Sequence, residues 1–173
     1  MALSKQLTDA LNAEVGLEFF AHSQYLAMAH WFEARGLDGL AAFFYNQAEE
    51  EKMHGVKIVR YISEVGGDLR IPTIDAPRHD FASALEVAQL FLSQEEHVTQ
   101  QFFKMNKMAV EEGDYITQDF LQWFITEQRE EMATAGKLVD LFKMAGDNLL
   151  QVELLIDRLA GGQELTGEGG GEA

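Results

Sequence analysis

The 173-residue chain contains no cysteine, which excludes disulfides, thiolate zinc sites and redox-active thiol pairs. It has two prolines, Pro72 and Pro77, both in one stretch. The long proline-free segments on either side predict helices. Basic residues are scarce, 13 Lys and Arg against 29 Asp and Glu, for a net charge of −16. A surface that neutralises phosphates needs the opposite balance, so no nucleic-acid partner is expected. No run of about 18 apolar residues occurs, and no membrane span is expected. Met1–Lys5 lacks the apolar core of an export signal, so the expected compartment is the cytoplasm. Apolar residues, by contrast, make up 47% of the chain. A single domain of this length can bury about 70% of its unfolded surface.

Glycine and aspartate punctuate the proline-free segments. Gly36 before Asp38, Gly66-Gly67, Glu112-Gly113-Asp114 and Gly146-Asp147 mark stops and restarts, with N-cap candidates at the last two. The spacing predicts helices near 4–35, 38–66, 82–112, 114–145 and 148–160. Short links within each pair make antiparallel hairpins. Residues 68–80, which carry both prolines, are long enough to run the length of a bundle and cross over. The expected fold is all-α: a four-helix bundle with one long crossover and a short fifth helix, spanning residues 1–160. Residues 161–173 hold six glycines and three glutamates and read as a disordered acidic tail.

Each long helix can be written as a seam of alternating three- and four-residue steps, the positions that face a bundle core. The first runs Leu7, Leu11, Glu14, Glu18, Ala21, Tyr25, Met28, Phe32, and the second Leu40, Phe44, Gln47, Glu51, His54, Ile58, Tyr61, Val65. The third runs Leu85, Ala88, Leu92, Glu95, Thr99, Phe102, Asn106, Ala109, and the fourth Leu121, Phe124, Gln128, Glu131, Ala135, Leu138, Phe142. Near mid-length every seam is interrupted by a glutamate: Glu18, Glu51, Glu95 and Glu131. Buried carboxylates without partners are costly and repel one another. At that depth His54 is the only basic seam residue. A pair of bound divalent cations removes the conflict, because carboxylates with one imidazole suit hard or borderline metals. Glu51-x-x-His54 places both side chains on one helix face.

This pattern matches the layout of di-iron carboxylate bundles, with one Glu from each of two helices and Glu-x-x-His from each of the other two. The fourth helix departs from it, offering Gln128-x-x-Glu131, so the second metal position is expected to be poorer in nitrogen and weaker. Tyr25 lies two turns from Glu18 on the same face, where a phenol can hydrogen-bond a ligand or donate an electron. Glu50, Glu127 and Glu130 form a further acidic set able to hold a third cation. His22 and His97 read as surface or interface residues, and Phe120, Trp123 and Phe124 as core or subunit contacts.

On these residues the chain resembles the bacterial non-haem ferritins. The resembling segments are Leu17-Glu18 through Tyr25, Ala48-Glu49-Glu50-Glu51-Lys52-Met53-His54, Glu95, and the run from Phe120 to Glu131. The resemblance implies Glu18, Glu51 and His54 at a first iron and Glu51 as the bridge to a second. Glu95 and Glu131 would hold that second iron, with Gln128 and Tyr25 close by. It implies a third iron site at Glu50, Glu127, Glu130 and Glu131. It further implies ferroxidase activity with O2 or H2O2, and a hollow homo-oligomeric shell of 24 subunits storing ferric mineral. The 148–160 helix would line its four-fold contacts. Bacterioferritins carry a haem-ligating Met directly after the glutamate of Glu-x-x-His. Lys52 occupies that position, so no haem is expected. Two alternatives remain at this stage: a rubrerythrin-like di-iron oxidase or peroxide scavenger, whose usual cysteine-bound electron-transfer module is missing, and a metal-free structural bundle.

Overall fold

The computed structural model describes residues 3–156. Four long helices, α1 (Lys5–Glu33), α2 (Asp38–Glu64), α3 (Ala84–Glu112) and α4 (Tyr115–Ala145), are followed by a short α5 (Leu149–Glu153). Helices α1 and α2 pack as one hairpin and α3 and α4 as the other, and α1 also packs along α3. Side chains start three of the helices. Ser4 Oγ accepts from the Leu7 amide, Ser83 Oγ from the Glu86 amide and Asp114 Oδ1 from the Thr117 amide, at 3.0–3.1 Å. Each satisfies one of the orphan donors of a helix N-terminus. Gly113 ends α3 with φ +68°, a left-handed turn that costs an L side chain but not glycine.

The crossover, residues 65–83, has no regular structure of its own; α1 holds it through two buried amides. Asn12 Nδ2 donates to the Asp68 carbonyl and its Oδ1 accepts from the Arg70 amide, at 2.9 and 2.8 Å. Gln24 grips Arg78 in the same two-bonded way, both bonds at 2.8 Å. Between them Gly16 lets the chain pass close. A Cβ there would collide with the Pro72 ring. The crossover therefore runs along α1, as a link between distant bundle ends must.

Two apolar clusters fill the bundle, one on either side of a polar centre. The first is aromatic, built around Tyr25, Phe32, Phe44, Phe91 and Phe142. The second gathers Leu7, Leu11, Val15, Ile58, Phe102, Leu121 and Phe124.

Two expectations need correction. In the first half of α3 the seam positions Leu85 and Leu92 are each one residue late, while Ala88 is buried as expected. Ala84 and Phe91 are buried, whereas Leu85 and Leu92 only pack against the cluster from its edge. Apolar residues surround that stretch of α3 on several sides, so periodicity alone selects the register poorly. The last restart is capped at Asn148 rather than Asp147, without a side-chain cap bond. The described helix α5 spans Leu149–Glu153; residues 157–160 of the expected fifth helix and the predicted tail lie outside the described residues.

Where it is described, the α5 segment is apolar on two faces, with Val152 and Ile156 each 1% exposed but Leu150 63% and Leu154 73%. It docks on the start of α2, whose N-cap residue Leu37 makes no side-chain cap bond. Glu153 supplies the missing acceptors from a distance, taking the amides of Gly39 and Leu40 at 2.5 and 3.0 Å.

Candidate metal centre

The mid-length polar residues of the four seams meet between the two apolar clusters. Glu18, Glu51, His54, Glu95, Gln128 and Glu131 are each at most 5% exposed. On the α1–α2 side, Glu18, Glu51 and His54 each present a donor atom, and these atoms lie within 4.8 Å of one another. His54 Nδ1 is 3.1 Å from Glu51 Oε2 and 3.9 Å from Glu18 Oε2. The ring stands edge-on to Trp123 and Phe124 of α4, with centroids 5.6 and 5.8 Å apart. Lys57 Nζ covers the Trp123 face, 3.1 Å from its centroid. Gly55 lets α1 and α2 approach here. A Cβ at this position would lie 3.2 Å from the Phe19 ring and 3.3 Å from Glu18 Cβ.

On the α3–α4 side, Glu95 is held by both oxygens. Tyr25 donates its hydroxyl to Oε1 at 2.5 Å and Gln128 Nε2 donates to Oε2 at 3.0 Å. Gln128 Nε2 also lies 3.2 Å from Thr99 Oγ1. Glu131 contributes Oε2, buried and without a donor.

The remaining oxygens are not satisfied. Both oxygens of Glu18, Oε1 of Glu51 and Oε1 of Glu14 are buried with no hydrogen-bond partner. Among the described residues no Lys or Arg forms an ion pair with any of these acids, and His54 is their one basic neighbour. The titration behaviour follows. Burial, and then the neighbouring Glu51 charge, raise Glu14 and Glu18 well above the usual carboxylate range. Burial followed by the Glu95 and Glu51 charges raises Glu131 well above it too. Glu95 is pushed up to about 8 by burial and Glu51, with the Tyr25 and Gln128 hydrogen bonds pulling the other way. Burial and Glu95 likewise raise the Tyr25 phenol. These carboxyls are compensated by protons when the centre is empty and can exchange them for cations.

The outer acidic set is only partly assembled. Glu50 is half-buried, accepts from Gln47 Nε2, and is raised by burial and then by Glu51, with Glu127 adding to the effect. Glu130, by contrast, is turned toward its neighbour Arg129, whose Nη2 lies 3.5 Å from Oε1. His22 points its Nδ1 at the Ala48 carbonyl, 2.7 Å away, and takes no part in the centre. Three contributors were not singled out from the sequence: Thr99, Gly55 and Glu14. Glu14 was visible as a seam position one turn before Glu18 and was given no role there.

The ferritin-like domain family model matches residues 8–145. A bacterial non-heme ferritin of Staphylococcus epidermidis is 40% identical over 158 residues, covering 91% of this chain and 95% of the relative. One from Staphylococcus aureus is 40% identical over 146 residues, 84% of this chain and 88% of the relative. Among solved structures, the open pore ferritin of the archaeon Archaeoglobus fulgidus superposes with a TM-score of 0.86 at 30% identity, covering 91% of this chain and 98% of that one. A humanized archaeal ferritin gives 0.87 at the same identity. With the family model matching residues 8–145 and curated relatives 40% identical over most of the chain, the chain belongs to the ferritin family.

Proposed function

We propose that this chain stores iron by oxidising it. Two ferrous ions enter the centre as substrate. Glu18, Glu51 and His54 hold the first, Glu95 and Glu131 hold the second, and Glu51 bridges them. Gln128 and Tyr25 fix Glu95. The observation that carries this reading is the set of buried carboxylate oxygens with no donor, beside an imidazole whose Nδ1 faces two of the acids. Such oxygens are costly unless a proton or cation meets them.

The reaction uses the pairing. Each Fe(II) gives up one electron, and one O2 takes both together with two protons to leave as H2O2, so no one-electron oxygen radical is released. With H2O2 as oxidant the same two electrons and two protons yield water. Fe(III), a stronger acid than Fe(II), then hydrolyses and moves on as mineral precursor. Glu50, Glu127 and Glu130 form a third, outer position that receives iron next to the pair. The iron-free centre carries protons on its raised carboxyls, and these leave as iron binds.

A homo-oligomeric shell of 24 copies in the cytoplasm completes the reading. Its support here is the large apolar surface one copy leaves open, including Tyr115 (76% exposed), Ile116 (59%), Leu150 (63%) and Leu154 (73%). The kinship with non-heme ferritins and Lys52 in place of a haem-ligating Met support the absence of haem.

Anaerobic Fe(II) titration of the assembled protein tests the proposal. Two or three tight equivalents per chain, with transient visible absorbance on admitting air, are expected. Fe(II) binding no stronger than to an unrelated acidic protein would leave a structural bundle as the better account.

A further inference from the structure

A groove between α2 and α4 runs against the charge of the rest of the chain. It has a volume of about 700 Å3 and is lined by Lys52, Lys57 and Arg60, together with the rings of Tyr61 and Phe120. Three of the chain's 13 basic residues thus face one cavity, in a molecule of net charge −16. Glu64 is the one acid among its lining residues. Along α2, Arg60 follows Lys57 by one helical turn and Lys52 by two, a spacing that keeps the three along one side of the helix.

These charges are poorly matched from within the protein. Lys52 Nζ pairs with Glu49 at 2.7 Å. Among the described residues Lys57 and Arg60 form no ion pair. Lys57 Nζ instead lies 3.1 Å from the Trp123 centroid and 5.7 Å from that of Phe124, a cation–π contact that positions the ammonium without neutralising it. The aromatic lining adds no competing charge. Tyr61 and Phe120 stack with centroids 3.7 Å apart, and the Tyr61 hydroxyl is engaged with Thr117 Oγ1 at 2.6 Å. In a chain with 29 Asp and Glu, two neighbouring cations without a carboxylate partner are a local exception. Like charges one turn apart on a helix repel, and an anion held between them removes that cost.

We propose that this groove is an oxyanion site that takes a phosphate group, with Lys57 and Arg60 as its principal ligands and Lys52 assisting. The planar fork of an arginine matches two phosphate oxygens, and a lysine beside it supplies a point charge. A concave site of one sign concentrates counter-ions that the chain as a whole repels. At physiological ionic strength charges beyond roughly 8 Å are largely screened, so acids elsewhere on the chain oppose the site little. The cavity is larger than one phosphate and leaves room for a second phosphoryl group or an organic portion against Phe120. Lys57 lies one turn of α2 beyond His54, and both side chains contact Trp123. The groove is therefore a neighbour of the metal centre, yet binding there needs no metal, and the proposal stands apart from the two-metal reading.

Equilibrium dialysis and calorimetry of the assembled, iron-free full chain test the site, with inorganic phosphate and, in parallel, pyrophosphate at fixed ionic strength. One equivalent per chain is expected for the wild type. The double variant Lys57→Gln/Arg60→Gln should weaken it at least tenfold. Lys104→Gln/Lys137→Gln removes two exposed lysines of α3 and α4 that form no ion pair among the described residues, and it should leave the affinity within about twofold. Equal losses in the two double variants would reduce the binding to diffuse attraction and overturn the proposal, as would a wild type that binds neither anion. Should the Lys57 variant assemble poorly, Arg60→Gln alone decides, because Arg60 is exposed. A several-fold loss is expected, and an unchanged affinity refutes the site. Pyrophosphate bound more tightly than phosphate assigns the groove to a phosphorylated ligand reaching from Arg60 to Lys52, and equal affinity assigns it to free phosphate.

Discussion

Glu95 and the acids of the α1–α2 side are the same residue type in nearly the same setting, and are in opposite states. On the α3–α4 side Glu95 is tied at both oxygens, by Tyr25 from α1 and Gln128 from α4. On the α1–α2 side Glu18 has neither oxygen bonded, and Glu14 and Glu51 each keep one free. Hydrogen bonds orient a carboxylate but also compete with a metal for its lone pairs. Glu95 is thus held in place at the expense of reach, whereas the α1–α2 acids are available to whatever cation arrives. In the proposed two-metal reading the first position is open and nitrogen-assisted and the second is tethered at Glu95, with Glu131 Oε2 left free, an asymmetry that suits ions entering in order.

The largest test of this contrast is at its hinge. Glu51→Ala removes the acid placed between the two positions, and the initial rate of Fe(II) oxidation in stopped-flow should drop about 100-fold or more, roughly 3 kcal/mol in barrier. Glu130→Ala, outside the centre beside Arg129, should mainly change the oxygen consumed per iron. Equal effects from the two would erase the distinction between inner and outer acids.

A pH experiment separates the empty centre from the filled one. Glu95 titrates near 8 when folded against an ordinary 4.5, so the metal-free native state carries an extra proton between those values. Its contribution to stability is complete at the acid end of that window and is lost as pH rises through it. The urea midpoint of the metal-free protein should fall from pH 5 to pH 8. Zn(II) binding displaces the proton, so affinity should climb from pH 6 to 8 and flatten above. Calorimetry in buffers of different ionisation enthalpy would record protons released, and none at pH 6 would contradict the assignment.

Removing one tether should make Glu95 resemble the acids opposite. Tyr25→Phe keeps the aromatic packing on Phe91, 5.1 Å between centroids, and deletes the donor to Oε1. Chemical denaturation should show a loss of about 1–3 kcal/mol, together with altered binding of the second equivalent and little change in the first. A loss confined to the first equivalent would reverse the assignment of the sides. The smallest effect belongs to Gly55→Ala. About 1 kcal/mol of helix propensity gained offsets crowding of Phe19 and Glu18, so the thermal midpoint should barely move. Displacement of Glu18 should nonetheless weaken the first Co(II) equivalent several-fold, and an unchanged affinity would show that the α1–α2 approach does not tune the site.

Much of this molecule was readable in one dimension because helices convert spacing into direction. The steps leading to Glu18, Glu51, Glu95 and Glu131 place four carboxyls inward at one depth, and each is buried. The breaks at Gly36, Gly66 and Gly113 all fall at positive φ, where residue type and backbone shape are tightly coupled. The register of α3 near Phe91 was misread because several faces there are apolar and periodicity averages them. Glu14 stood in the α1 seam without being singled out, for a different reason. A lone glutamate in a seam is indistinguishable from a solvated one until neighbouring helices close over it.

The order of residues alone thus settled which side chains turn toward the axis, how many helices there are and where the long connection must lie, since these follow from the 3.6-residue turn and from backbone restrictions. The packed fold decided which carboxylate oxygens acquire donors. Tyr25 reaches Glu95 across 70 positions and Gln128 across 33, and Glu153 caps α2 across more than 100. Such pairings depend on how the helices are rotated and shifted against one another, which only the whole core fixes.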